Sequence, residues 1–176
     1  MKSTIVFSST NDNSLAKEIV EKLNKENKYQ IIDLYKDNFN PVMTLKEEKL
    51  YQSGETDCDL VKKYQQMIKE SEELVLVFPL WINNVPAILK GFFDKVLIKE
   101  FGFTEENNKP KGLLTNVTKG LVVSTSESSI KDLEKLGNPI ETVVVKGALE
   151  MCGMTNIEYI NVNAENKDEN LKKYFG

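Results

Sequence analysis

The chain of 176 residues carries a formal net charge of −4, with 40% apolar and 28% charged residues and no histidine. Its length and composition are typical of one globular domain, which we expect to span residues 1–176. The mild acidity argues against nucleic acid or an anionic membrane surface as a partner. The lack of histidine excludes His-based acid–base catalysis and most transition-metal sites, and we predict no metal site.

The cysteines and the apolar segments predict where the protein acts. Cys58 and Cys152 are far apart in sequence, which is typical of reduced thiols rather than of a disulfide framework. No apolar run approaches the roughly 20 residues of a membrane span, and no secretory signal is recognisable. We therefore expect a cytoplasmic protein without membrane insertion.

Strand and helix patterns alternate along the chain. Short apolar runs predict five strands, and apolar residues at helical spacing predict helices between them. The strands are predicted at 3–8, 29–34, 74–78, 120–125 and 157–162, the helices at 15–23, 57–72, 86–96, 139–152 and 165–174, and irregular segments at 38–51 and 102–118. This alternation predicts an α/β, flavodoxin-like three-layer sandwich around a five-stranded parallel sheet of order 2-1-3-4-5.

The strand at 74–78 and the helix after it form the most distinctive stretch. The apolar residues of this strand do not alternate with polar ones, as expected for a strand covered on both faces. Pro79 should end the strand, Asn83 or Asn84 is predicted to cap the helix, and Pro86 suits its first turn. Loop 80–84 would then lie at the carboxyl end of a strand, where open parallel sheets bind their ligands.

Polar loops follow three of the strands. The run from Ser9 to Ser14 offers hydroxyls and helix N-terminal N–H groups to an anion such as a mononucleotide phosphate, although a Ser-capped surface loop would look the same. Loop 80–84 can bond the rim and cover the face of a planar heterocycle, unless Trp81 is a core residue and the Asn pair only caps the helix. Loop 125–129 could meet the far edge of that heterocycle. Because the three loops converge on one sheet edge, flavin is the predicted occupant.

Other charged and sulfur-containing residues receive no functional role. Lys90, Lys95 and Lys99 are expected on the polar side of their helix, and residues 47–49 are expected to be solvated surface charge. Cys152 lies on an apolar helix face and is predicted to be core, with Gly153 ending that helix.

Two strings of residues resemble a known family. The string DLYKDNFNPV at 33–42, and FPLW at 78–81 followed by VPAILKGFFDKV at 85–96, are similar to the NAD(P)H:quinone oxidoreductase family of flavodoxin-like proteins. The similarity runs from residue 3 to about residue 162. It implies an enzyme that uses FMN rather than FAD, takes hydride from NAD(P)H, and reduces quinones or similar small electrophiles by a ping-pong mechanism. It also implies a homodimer with the flavin at the subunit boundary.

The resemblance assigns residues to the cofactor. The flavin phosphate is expected on Ser9, Ser14, Leu15 and Ala16, where backbone N–H groups replace an Asn that the family has in this segment. The isoalloxazine rim is expected on Pro79, Leu80, Trp81, Ile82 and Asn83. The family's T-T-G-G loop corresponds to Thr125, Ser126, Glu127 and Ser128, so both of its glycines are replaced.

No side chain is assigned as catalytic, because the flavin carries the chemistry. Phe103, at a position where a Tyr is common in the family, and Thr104, as a proton donor, are the only candidates. Two other functions compatible with the sequence are a flavin-binding ancillary subunit of a potassium efflux transporter and a flavodoxin-type electron carrier. The first would add a transporter as a partner, beside the small-molecule electron acceptor of an enzyme.

Overall fold

A computed structural model describes residues 2–11, 14–25 and 28–175 of the chain. Asp12 and Asn13, which belong to the polar run predicted to bind an anion, lie outside the described residues. The strands are β1 (Ser3–Phe7), β2 (Tyr29–Asp33), β3 (Glu73–Pro79), β4 (Phe103–Glu106), β5 (Lys109–Gly112), β6 (Lys119–Thr125) and β7 (Ile157–Val162). The helices are α1 (Leu15–Leu23), α2 (Leu45–Tyr51), α3 (Asp59–Lys69), α4 (Ala87–Val96), α5 (Ile130–Lys135), a π-helix (Ile140–Glu150) and α6 (Lys167–Phe175).

Five parallel strands form the central sheet, in the order β2-β1-β3-β6-β7. Counted as first to fifth parallel strand, this is the predicted order 2-1-3-4-5, and the flavodoxin-like sandwich is confirmed. Alternate residues of β3 enter two separate cores, one with α3, α4 and the π-helix and the other with α1 and α6. The sheet is therefore covered on both faces, which explains the continuous apolar sequence of β3.

Two predicted irregular segments contain regular structure. Segment 102–118 holds the antiparallel hairpin β4–β5, whose two-residue turn places Asn107 and Asn108 at φ of 55° and 60°. Segment 38–51 ends in α2, which begins with a capping box between Thr44 and Glu47. Both elements are short and mostly exposed, so they lack the apolar periodicity by which strands and helices are recognised. The sequence features that could have indicated them are the Asn107–Asn108 turn for the hairpin and the Thr44–Glu47 capping box for α2.

One predicted helix cap was wrong, and one helix that starts where predicted is of an unusual type. Helix α4 begins after Pro86 without a side-chain cap, because Asn83 and Asn84 belong to a tight turn before it. The helix predicted at 139–152 is a π-helix that follows Pro139. Gly153 has a φ of +93°, as expected for the residue that ends this helix.

A buried ion pair corrects the assignment of Lys95 and Glu47 as solvated charges. The Lys95 ammonium lies 2.8 Å from the Glu47 carboxylate, and the two side chains are only 5% and 13% exposed. Lys95 also donates to the carbonyls of Asn40 and Val42, at 2.9 and 3.3 Å. Spacing along α4 places Lys95 next to polar positions, but the folded segment 40–47 covers it. The pair connects α4 to α2 and to the segment before α2.

The thiol of Cys152 is fully buried, as predicted, and burial raises its pKa to about 12. A thiol with such a pKa is almost entirely protonated at neutral pH, so it behaves as an apolar core group. Within the described residues, none of the helices is long and apolar enough to span a membrane.

Candidate functional site

The three polar loops lie at one edge of the sheet. Register pairs Phe7 with Val77 and Val77 with Val123, so β1, β3 and β6 reach this edge side by side. The loop after β3 is bonded directly to the loop after β6, because the Leu80 N–H donates to the Thr125 carbonyl at 2.8 Å. The structure thus brings together the segments that sequence reasoning selected.

The loop after β1 presents hydroxyls beside a helix N-terminus. Ser14 caps α1, and its Oγ accepts the Lys17 N–H at 3.1 Å. The Ser9 hydroxyl lies 3.1 Å from the Ser14 hydroxyl. Leu15 and Ala16 open the helix, where backbone N–H groups lack intrahelical acceptors and the helix dipole is positive. This arrangement suits an anion that accepts several hydrogen bonds.

A buried hydroxyl beneath the same edge has no acceptor or donor. Ser8 is fully buried, and its Oγ has no hydrogen-bond partner among the described residues. An unpaired buried hydroxyl costs about 1–3 kcal/mol relative to a paired one. Ser8 adjoins Ser9, but its side chain has no exposed surface, so it lies beneath the edge rather than on it.

The loop after β3 is a two-residue turn with an exposed tip. Trp81 and Asn84 exchange two backbone hydrogen bonds, at 2.9 and 3.1 Å. Trp81 is 62% exposed and Ile82 is 95% exposed, so the alternative of Trp81 as a core residue is wrong. Ile82 and Asn83 have φ values of 50° and 58°, as in a type I′ turn. This conformation is strained for a β-branched residue, and Ile82 gains no burial within the monomer.

We expect replacement of Ile82 by Asn to raise the free energy of unfolding by about 1 kcal/mol, because Asn tolerates the left-handed conformation far better than Ile. Urea unfolding of the ligand-free protein measures the change. Leu136 is a suitable control, since it is 58% exposed with an ordinary φ of −88°. Leu136→Asn should give no increase. Equal behaviour of the two variants would contradict the strain at Ile82.

The loop after β6 has Glu127 and Ser128 where the T-T-G-G loop of the resemblance has glycines, and its backbone is not strained at either residue. Neither Glu127 nor Ser128 has a positive φ, so the loop follows a path that non-glycine residues can adopt. Its start is fixed by the Leu80–Thr125 bond and by the Ser126 N–H, which donates to the Val162 carbonyl at 3.2 Å. Glu127 is exposed, whereas Ser126 and Ser128 are half-buried.

A large apolar groove lies beside these loops rather than on them. Its volume is about 780 Å³, and it runs between α4 and the π-helix, with Asn84, Val85, Phe93, Phe103, Val144 and Cys152 among its lining residues. None of the predicted cofactor-binding residues lines it. Asn84 connects it to the turn after β3, and Phe103 lies on the β4–β5 hairpin, which packs against Gly153 at the end of the π-helix.

The two candidate catalytic side chains lie on this hairpin. Phe103 contributes to the groove, and the Thr104 hydroxyl donates to the Glu100 carboxylate at 2.9 Å. The structure does not bring either residue into contact with the three polar loops, and a proton-donating role for Thr104 gains no support from its partner. Sequence reasoning missed Asn161 on β7, which bonds Ser126 and Ser128 of the loop after β6, because the strand 157–162 was interpreted only through its apolar residues.

Comparison with known proteins decides the family. A family model for the flavodoxin-like fold matches residues 1–175. A Haemophilus influenzae protein named as an uncharacterized NAD(P)H oxidoreductase is 30% identical over 144 residues, which is 80% of this chain and 70% of that protein. The chain belongs to the flavodoxin-like NAD(P)H oxidoreductase family. The resemblance found from residues 33–42 and 78–96 is thereby confirmed, and so is the assignment as an oxidoreductase.

Other members of this NAD(P)H oxidoreductase family show the same relationship. An FMN-dependent NADH:quinone oxidoreductase of Clostridium perfringens is 26% identical over 164 residues, covering 89% of this chain and 82% of that protein. The structure of an NAD(P)H:quinone oxidoreductase from Methanothermobacter marburgensis superposes with a TM-score of 0.87 at 23% identity, over 98% of this chain and 94% of that one. The first four curated relatives are matched over 70%, 62%, 50% and 82% of their lengths.

Proposed function

We propose that the protein is an FMN-dependent NAD(P)H oxidoreductase that reduces quinones or similar small electrophiles in the cytoplasm. The observation that carries this proposal is the meeting of three polar loops at the carboxyl edge of the sheet, with the Leu80–Thr125 hydrogen bond joining two of them. FMN rather than FAD is favoured because the Clostridium perfringens relative is FMN-dependent by name.

The residues present fit a flavin mononucleotide. Ser9, Ser14 and the first N–H groups of α1 would hold the phosphate. Pro79 to Asn83 and Thr125 to Ser128 would border the ring system from two sides. In proteins, backbone groups and short hydroxyls of this kind hold phosphates without a cationic side chain.

The chemistry divides between cofactor and protein. When bound, flavin accepts a hydride from NAD(P)H and then passes two electrons to a quinone, in a ping-pong sequence. The protein would bind and orient the partners: the exposed Trp81–Ile82 tip would offer an apolar surface to the ring, and backbone groups of the two bonded loops would hydrogen-bond its rim. Because the chain has no histidine, protonation of the reduced acceptor would fall to solvent or to Thr104.

One spectroscopic experiment tests this function. The purified protein should bind FMN with about 1:1 stoichiometry, and anaerobic NAD(P)H should bleach the flavin absorption near 450 nm, as hydride transfer to a bound flavin requires. Addition of a quinone should then restore the absorption without further NAD(P)H. Failure to bind FMN, or no bleaching by either nicotinamide, would overturn the proposal.

We expect Ser14→Ala to weaken FMN binding by about tenfold, since the substitution removes both a phosphate partner and the cap of α1. Thr44→Ala is the matched control, because Thr44 caps α2 in the same way and lies outside the three loops. Each substitution should cost about 1 kcal/mol of stability. Fluorescence titration with FMN separates them: only the Ser14 variant should bind less tightly. A similar loss in both variants would remove Ser14 from the phosphate site.

We further propose the homodimer that the resemblance implies. It is supported by the apolar groove between α4 and the π-helix and by Val143, which lines the groove and remains 53% exposed in the monomer. Light scattering should give twice the chain mass of 20.0 kDa. Val143→Lys should shift the protein toward the monomer, because a buried unpaired charge opposes association. A wild-type monomer at micromolar concentration would contradict the dimer.

A further inference from the structure

A buried polar network fixes the loop after β6 from behind. Its centre is Asn161 on β7, which is 4% exposed and pairs in register with Ser124 on β6. The Asn161 carbonyl oxygen accepts the Ser124 hydroxyl at 2.8 Å and the Ser126 hydroxyl at 3.1 Å. The Asn161 amide nitrogen donates to the Ser128 carbonyl at 2.8 Å. One side chain therefore reaches both ends of the segment 126–128.

The orientation of the Asn161 amide is determined by its partners. The Ser128 carbonyl can only accept a hydrogen bond, so the amide nitrogen must face it and the amide oxygen must face the two hydroxyls. Ser124 uses its single proton toward Asn161, so the Tyr159 hydroxyl, 3.0 Å away, donates to Ser124. Each polar atom of Asn161 described here thus has a defined role, which favours one arrangement of the loop.

The network offers a physical substitute for glycine. A loop with glycines lets its backbone approach a ligand closely, because glycine has no side chain. Such a loop loses more conformational entropy than other loops when binding orders it. Here Glu127 and Ser128 occupy the glycine positions, and their backbone stays at ordinary φ. The Asn161 amide donates the shortest of three hydrogen bonds to the Ser128 carbonyl, at 2.8 Å, against 3.2 Å from the Ser126 hydroxyl and 3.4 Å from the Asn163 amide.

We propose that Asn161 is a positioning residue that preorganises loop 125–128 for the flavin. The inference rests on the proposed function, since it assigns the loop to one side of the ring system. Because Asn161 is only 4% exposed, it would act on the ligand through Ser126 and Ser128 rather than by direct contact. Because Asn161 orders the loop before the ligand arrives, the loop loses less conformational entropy on binding.

Three variants test the role of Asn161. Asn161→Ala removes all three hydrogen bonds, whereas Asn161→Asp keeps the acceptor for the two hydroxyls and replaces the donor by a carboxylate oxygen facing the Ser128 carbonyl. Asn166→Ala is the matched control: the Asn166 side chain bonds the Asn161 backbone carbonyl and the Asn163 N–H, both at 2.9 Å. It bonds no described residue of the loop directly and is linked to it only through the long 3.4 Å contact between the Asn163 amide and the Ser128 carbonyl. All three substitutions disturb the same end of β7, so a loss of stability alone would affect them together.

Hydrogen exchange and FMN titration give the readouts. In the flavin-free protein, amides 126–129 should exchange about tenfold faster in both Asn161 variants and at the wild-type rate in Asn166→Ala, while strand β6 stays protected. FMN affinity should fall by about tenfold in both Asn161 variants and by less than about twofold in Asn166→Ala. At saturating FMN, the absorption bands of the bound flavin should move toward those of free FMN only in the Asn161 variants.

The possible results distinguish a failure of the role proposed for Asn161 from a failure of the proposed FMN-dependent function. Unchanged loop exchange in Asn161→Ala would overturn the network's role, whether or not flavin binds. Faster exchange with wild-type FMN affinity and spectrum would overturn the positioning role while leaving the proposed function intact. Failure of the wild-type protein to bind FMN would overturn both.

Discussion

Replacing Lys95 by Met should lower the free energy of unfolding by about 3–5 kcal/mol. The substitution leaves the Glu47 carboxylate without its cation in a site where its side chain is only 13% exposed. It also leaves the Asn40 and Val42 carbonyls without the donor that they share. Lys90→Met is the control on the same helix, because Lys90 pairs with Asp94 at the surface, where such pairs contribute about 0–1 kcal/mol. Urea unfolding should distinguish the two variants clearly.

A double substitution tests whether charge burial is the cause. Lys95→Met combined with Glu47→Gln leaves no uncompensated charge, so it should be less destabilising than Lys95→Met alone. A double variant as unstable as the sum of the two single variants would mean that the residues act independently.

The same pair predicts a dependence of stability on pH. Burial alone would raise the pKa of Glu47, but the hydrogen bond from Lys95 and those from Thr44 outweigh it, and the pKa lies below its ordinary value. A carboxylate whose pKa is lowered by folding stabilises the protein above its unfolded pKa of about 4.3 and loses that contribution as the pH falls through the folded value. Relative to Glu47→Gln, the wild-type protein should therefore lose stability below about pH 5. Parallel stability curves from pH 7 to pH 3 would contradict this assignment.

Replacing Gly91 by Ala should cost about 3 kcal/mol, although Ala is the better helix former. A Cβ at position 91 would lie 2.4 Å from both the Cβ and the carbonyl oxygen of Pro41, and backbone atoms cannot yield as a flexible side chain can. Pro41 lies between the two carbonyls that Lys95 binds, so the helix and this segment would have to separate. Thermal unfolding should show a fall of several degrees or more.

Gly137→Ala serves as the comparison for Gly91→Ala. Gly137 has open space around it but a φ of +79°. Ala at this position should therefore lower the free energy of unfolding only through backbone strain, by about 1 kcal/mol. The Gly91 variant should therefore be clearly the less stable of the two. The reverse ranking would mean that α4 and segment 40–42 are not in close contact.

The parts of this protein that could be predicted from sequence are those with a strong apolar pattern. The strand at 74–78 and the residues Ile88, Leu89, Phe92, Phe93 and Val96 of α4 follow one pattern along the chain, and their burial on folding leaves little freedom in how they pack. The parallel sheet followed from the alternation of strand and helix, and its order followed from the count of five strands, which favours the flavodoxin-like arrangement. The polar loops could be placed at one edge because the carboxyl ends of parallel strands share it.

The features that escaped prediction depend on contacts between distant segments. Lys95 looks like a solvated charge until residues 40–47 fold over it, and Asn161 looks like an ordinary strand residue until Ser126 and Ser128 lie opposite. The turn at Trp81–Asn84 was missed because Ile is a rare choice at a position that needs a left-handed backbone. The local sequence around these residues does not reveal the distant segments or the turn geometry that determine their structure.

The hydrogen bond between the Leu80 N–H and the Thr125 carbonyl joins the backbones of the loops after β3 and β6, so the backbone path of one depends on that of the other. A change that moves one of them withdraws a partner from the other, so loops transplanted singly from a relative should fit poorly, whereas both transplanted together should restore the bond. Because both bonding atoms belong to the main chain, side chains in the two loops can be replaced without loss of the bond, and only a change that moves the backbone or removes the N–H, such as Leu80→Pro, would break it.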